Sequence, residues 1–334
     1  MNKDLKISHF YGFWRFLEKE AFLPAMQFAR EGGIEHVTLD DKTTLKLFED
    51  PELENAYAAA LKGSGLKVFD VHAPCGPKYD LDIDGKENTA HMIDTHKKAL
   101  QFSASLGAKT YTIHMGAIVW CRNENPLSLE TVRENTLAAL ENLLPTAEKE
   151  GIIICCENSF EPVNTPDETL FYVRHFSSPY IGCCFDSGHA NMMQGKGKDP
   201  GKYTERFKNH VWRGNFVFED SALEKMAPYI VTCHLHDNNG YEDNHHISGS
   251  GNTDWDTLME KISQCPNLLS IQNESDPRIP AEKKDIFQEK ASRDPVFARL
   301  YARGIQDVFN ILISSARNKN DLIREVIREM EKNY

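Results

Sequence analysis

The run from His234 to Gly251 holds the densest set of metal-type side chains in the chain. It contains four histidines, several acids and three glycines, with few apolar residues. Imidazole and carboxylate groups together suit divalent transition metals, zinc above all. Asp243 and His245 are two positions apart, so an extended segment points both side chains to one side. The run predicts a metal site; the alternative is a polar surface loop that happens to hold histidines.

The bulk composition fits one large α/β domain or two modest ones. The chain has 334 residues, 40% hydrophobic and 26% charged, as in an ordinary soluble protein. Its formal net charge is −12 and its sequence pI is about 5.6. This acidity argues against nucleic acid as the main partner, because phosphate binding favours a basic surface, although an acidic protein can carry a local basic cleft.

The cysteines and the N-terminal residues favour a cytoplasmic location. The eight cysteines show no disulfide spacing, and two adjacent pairs, Cys155–Cys156 and Cys183–Cys184, lie in apolar runs. Such placement is typical of buried thiols in a reducing compartment; a redox role or metal ligation is the alternative. The first residues do not resemble a signal peptide. No stretch approaches the roughly 20 apolar residues that cross a bilayer, so no membrane contact is expected.

Eight short apolar runs alternate with helical stretches along the chain. The predicted strands are 5–9, 34–40, 66–72, 110–114, 152–157, 180–186, 229–234 and 268–272. The predicted helices are 16–30, 51–61, 87–106, 129–150, 166–175, 295–315 and 321–332. Ser128 is the predicted N-cap of the long fourth helix, and Gly151 ends it.

Alternation of strands and helices predicts a parallel α/β sheet, because each crossover returns the chain to the same end. The number of strands and the length favour closure into a single (β/α)8 TIM barrel over an open doubly wound sheet. No GxGxxG follows the first strand, which also disfavours the open sheet. We predict one domain over residues 1–334, with a barrel core at about 5–275 and a C-terminal helical segment at about 280–334.

The segment 189–234 is longer than a usual strand-to-strand connection requires. A glycine-rich run at 195–201 is followed by several large aromatic residues: Tyr203, Phe207, Trp212, Phe216 and Phe218. We interpret it as an extra element packed on the barrel or a contact between copies of the chain. A lid over the site is the alternative.

Metal-type ligands stand at the ends of five successive predicted strands. The residues are His72, His114, Glu157, Asp186 with His189, and His234 with Asp243 and His245 beyond it. A single buried histidine or aspartate is usually a hydrogen-bonded core residue. The carboxyl ends of all barrel strands meet at one mouth, however, where catalytic groups gather. The set therefore predicts a shared metal site.

These strand ends resemble those of the xylose isomerase-like barrels, which include sugar isomerases and epimerases and the endonuclease IV group. The matching stretches are Val71-His72-Ala-Pro, Ile113-His114-Met-Gly, Cys156-Glu157-Asn, Phe185-Asp186-Ser-Gly-His189, His234-Leu-His-Asp and Asp243-Asn-His245-His. The resemblance covers roughly residues 5–275, and the order of the motifs makes the set specific.

The resemblance implies one to three divalent ions, zinc or manganese. Glu157, Asp186 and His234 would share the first ion. His72 and His114 would hold a second, with Glu157 as the bridge. The third would be bound by His189, Asp243 and His245.

This sequence differs from the family pattern at the eighth strand, where a glutamate usually completes the ligands of the first ion. Simple alignment places Gln272 there, and its amide oxygen can bind a metal but cannot act as a base. Glu274, two residues further, faces the same side and could replace it. A loop carboxylate outside the site is the alternative for Glu274.

Three functions are compatible with these residues. The first is a metal-dependent isomerase or epimerase of a sugar or sugar phosphate, acting through a metal-stabilised enediolate, with Glu157, His189 or Glu274 as candidate catalytic groups. The second is an endonuclease IV-like hydrolase of abasic-site phosphodiesters. The third is a metal-binding barrel without catalysis. We favour the first, with a small carbohydrate as substrate; a homo-oligomer is compatible with the sequence.

Overall fold

A closed barrel of eight parallel strands forms the centre of the molecule in a computed structural model that describes residues 5–10, 19–31, 34–116, 127–246, 248–249 and 251–275. The strands are β1 (Lys6–Phe10), β2 (His36–Leu39), β3 (Lys67–His72), β4 (Thr110–Ile113), β5 (Ile153–Glu157), β6 (Ile181–Asp186), β7 (Ile230–Leu235) and β8 (Ser270–Asn273). They pair in chain order, and β8 closes on β1. The predicted eight-stranded parallel barrel is confirmed.

Helices surround this barrel. Those in the described residues are α1 (Lys19–Glu31), α2 (Asp41–Glu49), α3 (Pro51–Ser64), α4 (Lys86–Ser105), α5 (Leu129–Glu150), α6 (Pro166–Phe176), α7 (Ser187–Met193), α8 (Ala222–Met226) and α9 (Trp255–Ile262). The side chain of Ser128 caps α5 by accepting from the Thr131 backbone, and Gly151 ends α5 in the left-handed region, as predicted. No helix among the described residues is long and apolar enough to cross a membrane.

Several elements differ from prediction. Four helices were not predicted, namely α2, α7, α8 and α9. Helices α7, α8 and α9 have five to eight residues, too few for a clear helical periodicity. The predicted helices 295–315 and 321–332 and the start of helix 16–30 lie outside the described residues, so the single-domain assignment over 1–334 stays a prediction.

The main apolar core lies between the strands and the surrounding helices. The interior of the barrel is instead rich in polar side chains, and seven of them are joined by hydrogen bonds: Ser8, Thr38, Asp70, Thr110, Thr232, Ser270 and Gln272. All seven are fully buried. Barrel interiors are more often filled by branched aliphatic residues. This interior therefore holds its strands together with directional bonds.

Asp70 is the centre of this interior network. Its carboxylate accepts hydrogen bonds from the hydroxyl groups of Ser8, Thr110 and Ser270. Burial raises the pKa of Asp70, and the three hydroxyl groups partly offset that rise. The donors come from β1, β4 and β8, so one side chain of β3 ties four strands together.

The long segment between β6 and β7 folds into short helical turns that pack on the barrel. It includes a π-helix at Arg206–Val211 and a second apolar cluster, which we call the aromatic cluster: Met192, Met193, Tyr203, Phe207, Val211 and Trp212, with Phe160, Phe216 and Tyr241 against it. The hydroxyl group of Tyr203 donates to the Met192 carbonyl at 2.7 Å. These contacts support the interpretation that the segment is an extra packed element.

Candidate metal centre

The carboxyl ends of β3 to β8 bring the predicted ligands together. Parallel pairing places Asp186 beside His234 in the register of β6 and β7. Glu157 closes β5, and His72 closes β3. The described residues contain four groups of possible ligands, and within each group the donor atoms lie within 4.8 Å of one another.

Glu157 belongs to three of the four groups. Its side chain is 1% exposed. The Oε2 atom lies 3.0 Å from Nε2 of His114 and 3.4 Å from Nδ1 of His234. The Oε1 atom lies 3.4 Å from Nδ1 of His189. A carboxylate with two oxygens directed at different imidazoles has the geometry of a bridging ligand.

The first group contains Glu157, Asp186, His234 and Glu274. Nδ1 of His234 lies 2.8 Å from Oε2 of Glu274 and 3.9 Å from Oδ2 of Asp186. Neither ring nitrogen of His234 nor Oε2 of Glu274 makes a hydrogen bond of normal geometry, although all three atoms are buried. Buried polar atoms are normally satisfied. A divalent cation with ligand bonds of about 2.0–2.2 Å would satisfy this mixture of donors, so the residues fit a metal ion.

Glu274, rather than Gln272, completes this group. The Gln272 amide oxygen accepts from Thr38 at 3.0 Å, and its amide nitrogen donates to Thr232 at 3.0 Å. Both partners belong to the network inside the barrel, so the amide group of Gln272 is already hydrogen-bonded at both ends. The hydrogen bonds of Gln272 therefore favour Glu274 as the donor from this strand, since the carboxylate two residues further reaches His234 at 2.8 Å.

The second group contains His72, His114 and Glu157. Nδ1 of His72 lies 3.0 Å from the Ala73 carbonyl, so the protonated nitrogen is Nδ1 and Nε2 can bind a metal. The rings of His72 and His114 meet edge to face at 5.1 Å. The structure thus brings together the three residues predicted to hold a second ion.

The third group contains His189, His236, Asp243 and His245. Asp243 lies between two imidazoles, with Oδ2 3.6 Å from Nε2 of His189 and Oδ1 3.3 Å from Nε2 of His245. The other ring nitrogens face backbone carbonyls, at 3.1 Å for His189 and 3.0 Å for His245. This arrangement presents Nε2 of both rings to the Asp243 carboxylate.

His236 was not predicted as a member of any group. It is fully buried, and its Nε2 atom lies 3.0 Å from Oδ2 of Asp186. The signal that could have found it is the alternation of His234 and His236, because residues two apart on a strand point to the same side.

Asp237 holds the loop that carries Asp243 and His245. Its carboxylate accepts from the backbone amides of Gly249 and Gly251 at 3.0 and 2.9 Å, and from the Trp255 indole at 2.7 Å. The backbone of Asp237 also pairs with His246. A single buried carboxylate thus fixes both ends of the loop.

Mutual charge shifts the pKa values of these donors. Burial disfavours the charged form of His114, but the Glu157 carboxylate outweighs it and raises the pKa of His114 to about 9. Burial likewise opposes the charge of His245, and Asp243 raises its pKa to about 10. Burial raises the pKa of Glu157, but the neighbouring imidazoles outweigh it and lower the pKa well below its usual value. A cation that binds here must displace imidazole protons.

The aromatic cluster forms a wall beside the third group. The ring of Phe160 meets His189 edge to face at 5.3 Å. The Trp212 indole donates to the Phe160 carbonyl at 2.8 Å. The long segment after β6 therefore supports the loop after β5 at the point where that loop contacts His189.

The fold and the ligand groups define a xylose isomerase-like barrel. Residues 26–289 match the family model of the xylose isomerase-like TIM barrel, and the chain belongs to that family. Uncharacterized protein MJ1311 of Methanocaldococcus jannaschii is 26% identical over 227 residues, which cover 66% of this chain and 68% of that protein.

Solved structures share the same fold. The 3-keto-D-glucoside 4-epimerase YcjR of E. coli, in its apo form, has a TM-score of 0.61 and 18% identity, with coverage of 92% of this chain and 98% of that chain. The IolI protein with a bound zinc atom has a TM-score of 0.60 and 14% identity, with coverage of 98% and 99%.

Proposed function

We propose that the protein is a metal-dependent isomerase or epimerase of a small carbohydrate. The observation that carries the proposal is the pair of glutamates, Glu157 and Glu274, whose oxygens lie 3.4 and 2.8 Å from the same nitrogen of His234. Two carboxylates at one centre can remove and return a proton on a carbon beside a carbonyl. The solved epimerase with this fold supports the proposal.

A divalent cation bound by the first group would polarise a sugar carbonyl and its neighbouring hydroxyl as a Lewis acid. Asp186 and His234 would serve as ligands only. Glu157 and Glu274 would be ligands as well, and their carboxylates would be the candidate groups that take up and return the proton. The zinc atom bound in the IolI structure supports a metal in a protein of this fold, while the donor set also suits manganese.

The chain's own residues determine which group can act as the base. The imidazoles around Glu157 lower its pKa. Burial raises the pKa of Glu274, but His234 outweighs burial and lowers it. Both carboxylates are therefore ionised at neutral pH and can accept a proton. His189 has a raised pKa, because Asp186 and Asp243 outweigh its burial, so without a cation it is a proton donor rather than a base.

The proposal is tested by loading purified protein with zinc or manganese and incubating it with a panel of ketoses and aldoses in D2O. Incorporation of deuterium at a carbon beside the carbonyl, with conversion of the sugar, is the expected result. Glu157→Ala should lose bound metal and activity together, and Glu141→Ala, on the exposed side of α5, is the matched control. Full metal occupancy in Glu157→Ala would refute the bridging role.

One observation favours a second function, the hydrolysis of a phosphodiester. The first and second ligand groups share Glu157, and His189 of the third group lies 3.4 Å from the same carboxylate. A multi-metal cluster suits hydrolysis of a phosphodiester, because several ions can activate water and stabilise phosphate oxygens. An oligonucleotide with an abasic site tests this alternative. Strand cleavage by metal-loaded protein, without turnover of any sugar, would replace the carbohydrate proposal.

A further inference from the structure

His236 belongs to the third ligand group and also contacts Asp186 of the first, and the proposed function gives it no role. It follows β7 directly, and its side chain has no exposed surface. Its position is fixed by a reciprocal pair of bonds, because the Ser187 hydroxyl donates to the His236 carbonyl at 2.8 Å and accepts from its amide at 3.1 Å. The ring lies against Gly188, where an added Cβ would be 2.0 Å from Cε1 of His236. The ring therefore has little freedom to move.

One edge of this ring contacts a ligand of the first group. Nε2 of His236 lies 3.0 Å from Oδ2 of Asp186. The other Asp186 oxygen, Oδ1, accepts from the His189 backbone amide at 2.7 Å. Donors on two different elements thus hold the Asp186 carboxylate in one orientation. Such outer partners orient metal ligands and tune their affinity.

One face of the same ring contacts a ligand of the third group. The rings of His236 and His245 are stacked, with centroids 3.9 Å apart and planes 8° apart. His245 has a positive φ of 49°, which an L-residue adopts only when its surroundings hold it there. Two contacts hold His245 in this conformation: the stacked ring of His236 and the Glu274 carbonyl, which lies 3.0 Å from Nδ1 of His245.

We propose that His236 is a positioning residue that couples the two ligand groups. Its Nε2–H group donates to Asp186 and orients that carboxylate for the first ion. Its ring face sets the plane of His245 for the third-group ion. Because one confined ring contacts a ligand of each group, a ligand that is displaced by a cation presses on a ring that cannot yield, and the other ligand carries part of that strain. Binding of a cation in one group therefore changes the affinity of the other. This inference rests on the proposed metal-dependent function.

Two variants separate the two contacts. His236→Gln keeps an N–H donor but removes the ring, whereas His236→Phe keeps the ring but removes the donor. The probe is Co2+ added to metal-free protein, followed by its d–d absorption, its stoichiometry and its affinity, none of which requires a sugar. His246→Gln, an exposed neighbour, is the control.

The phenylalanine variant should weaken Co2+ binding in the first group about 10- to 100-fold and shift its d–d spectrum. The glutamine variant should restore that affinity and weaken the third group instead. In the wild type, filling one group should change the Co2+ affinity of the other by at least about fivefold. If the phenylalanine variant does not fold, His236→Leu, which lacks both contacts, should weaken both groups.

Different outcomes would overturn the positioning role of His236 and the proposed metal-dependent function. Wild-type protein that binds no Co2+ would overturn both. Sugar turnover and Co2+ binding that are the same in the wild type and all variants would overturn the positioning role alone. Complete loss of the third-group ion in His236→Gln, with the first group unaffected, would show that His236 is itself a ligand and would also overturn the coupling.

Discussion

The Oε2 atom of Glu274 lies 2.8 Å from Nδ1 of His234, although Glu274 follows the end of β8 and Gln272 is the residue that pairs with His234 in the register. Gln272, which is aligned with His234, takes part in the interior network. Glu274, the next residue of the strand end that points to the same side, contacts His234 at the mouth. The two-carboxylate arrangement therefore exists despite the glutamine in the strand.

The division of roles between these two positions is testable. Glu274→Gln should lower kcat about 100- to 10 000-fold, because an amide cannot accept the proton, and should weaken metal binding. Gln272→Ala should keep metal stoichiometry and lower the free energy of unfolding by about 1–3 kcal/mol, because Thr38 and Thr232 lose a buried partner. Metal analysis and urea denaturation give both readouts. Loss of metal in Gln272→Ala alone would reverse the assignment.

Cation binding should strengthen as pH rises from 7 to 9. The folded-state pKa of His114 is about 9 and that of His245 about 10, so a cation competes with protons over this range. Calorimetric titration in buffers of different ionisation enthalpy should show proton release, and release should decline toward pH 10. Binding without proton release at pH 7 would contradict the raised pKa values.

The metal-free protein should show the opposite dependence on pH. Because the folded pKa of His114 lies above the unfolded value of 6.5, its ion pair with Glu157 stabilises the fold fully below about pH 6.5. That contribution is lost as pH rises through about 9. Thermal denaturation in EDTA should therefore give a falling Tm between pH 7 and 9. A Tm that rises over this range would be inconsistent with the pair.

The contact between Gly188 and His236 predicts that the effect of Gly188→Ala on stability depends on the residue at position 236. Gly188→Ala should destabilise the protein by about 1–3 kcal/mol, because the new methyl group overlaps the His236 ring. In a His236→Ala background the same change should be neutral or stabilise α7 by up to about 1 kcal/mol, because glycine loses more backbone entropy than alanine when a helix forms. Urea denaturation of the four proteins of this cycle measures the coupling. Equal effects in both backgrounds would show that the ring moves aside.

The aromatic cluster predicts that the long segment after β6 is not a mobile cover. Phe207→Ala should destabilise the protein by about 3–5 kcal/mol and speed proteolysis within residues 195–215. Val217→Ala, at a side chain 63% exposed, should change neither. Cleavage of the wild type should be equally slow with and without sugar. Strong protection by sugar would restore the lid interpretation.

Much of the fold could be predicted, since each apolar run of the barrel is bounded by a clear turn or helix. The strand ends could also be predicted as a meeting point, because parallel closure places them at one mouth. The choice between Gln272 and Glu274 could not, since it depends on hydrogen bonds to Thr38 and Thr232 from distant strands. The role proposed for His236 could not be predicted either, because it depends on stacking with His245, which lies nine positions further along the chain on a folded loop.

The polar filling of the barrel, with Asp70 bonded to three hydroxyl groups, limits how this scaffold could be redesigned. Hydrocarbon-filled barrels tolerate exchange among side chains of similar volume, because dispersion forces have no direction. Here, replacement of Ser8 by alanine or Thr110 by valine would leave a buried oxygen unpaired at nearly the same volume. Engineering of the interior would therefore have to exchange donors and acceptors as matched sets.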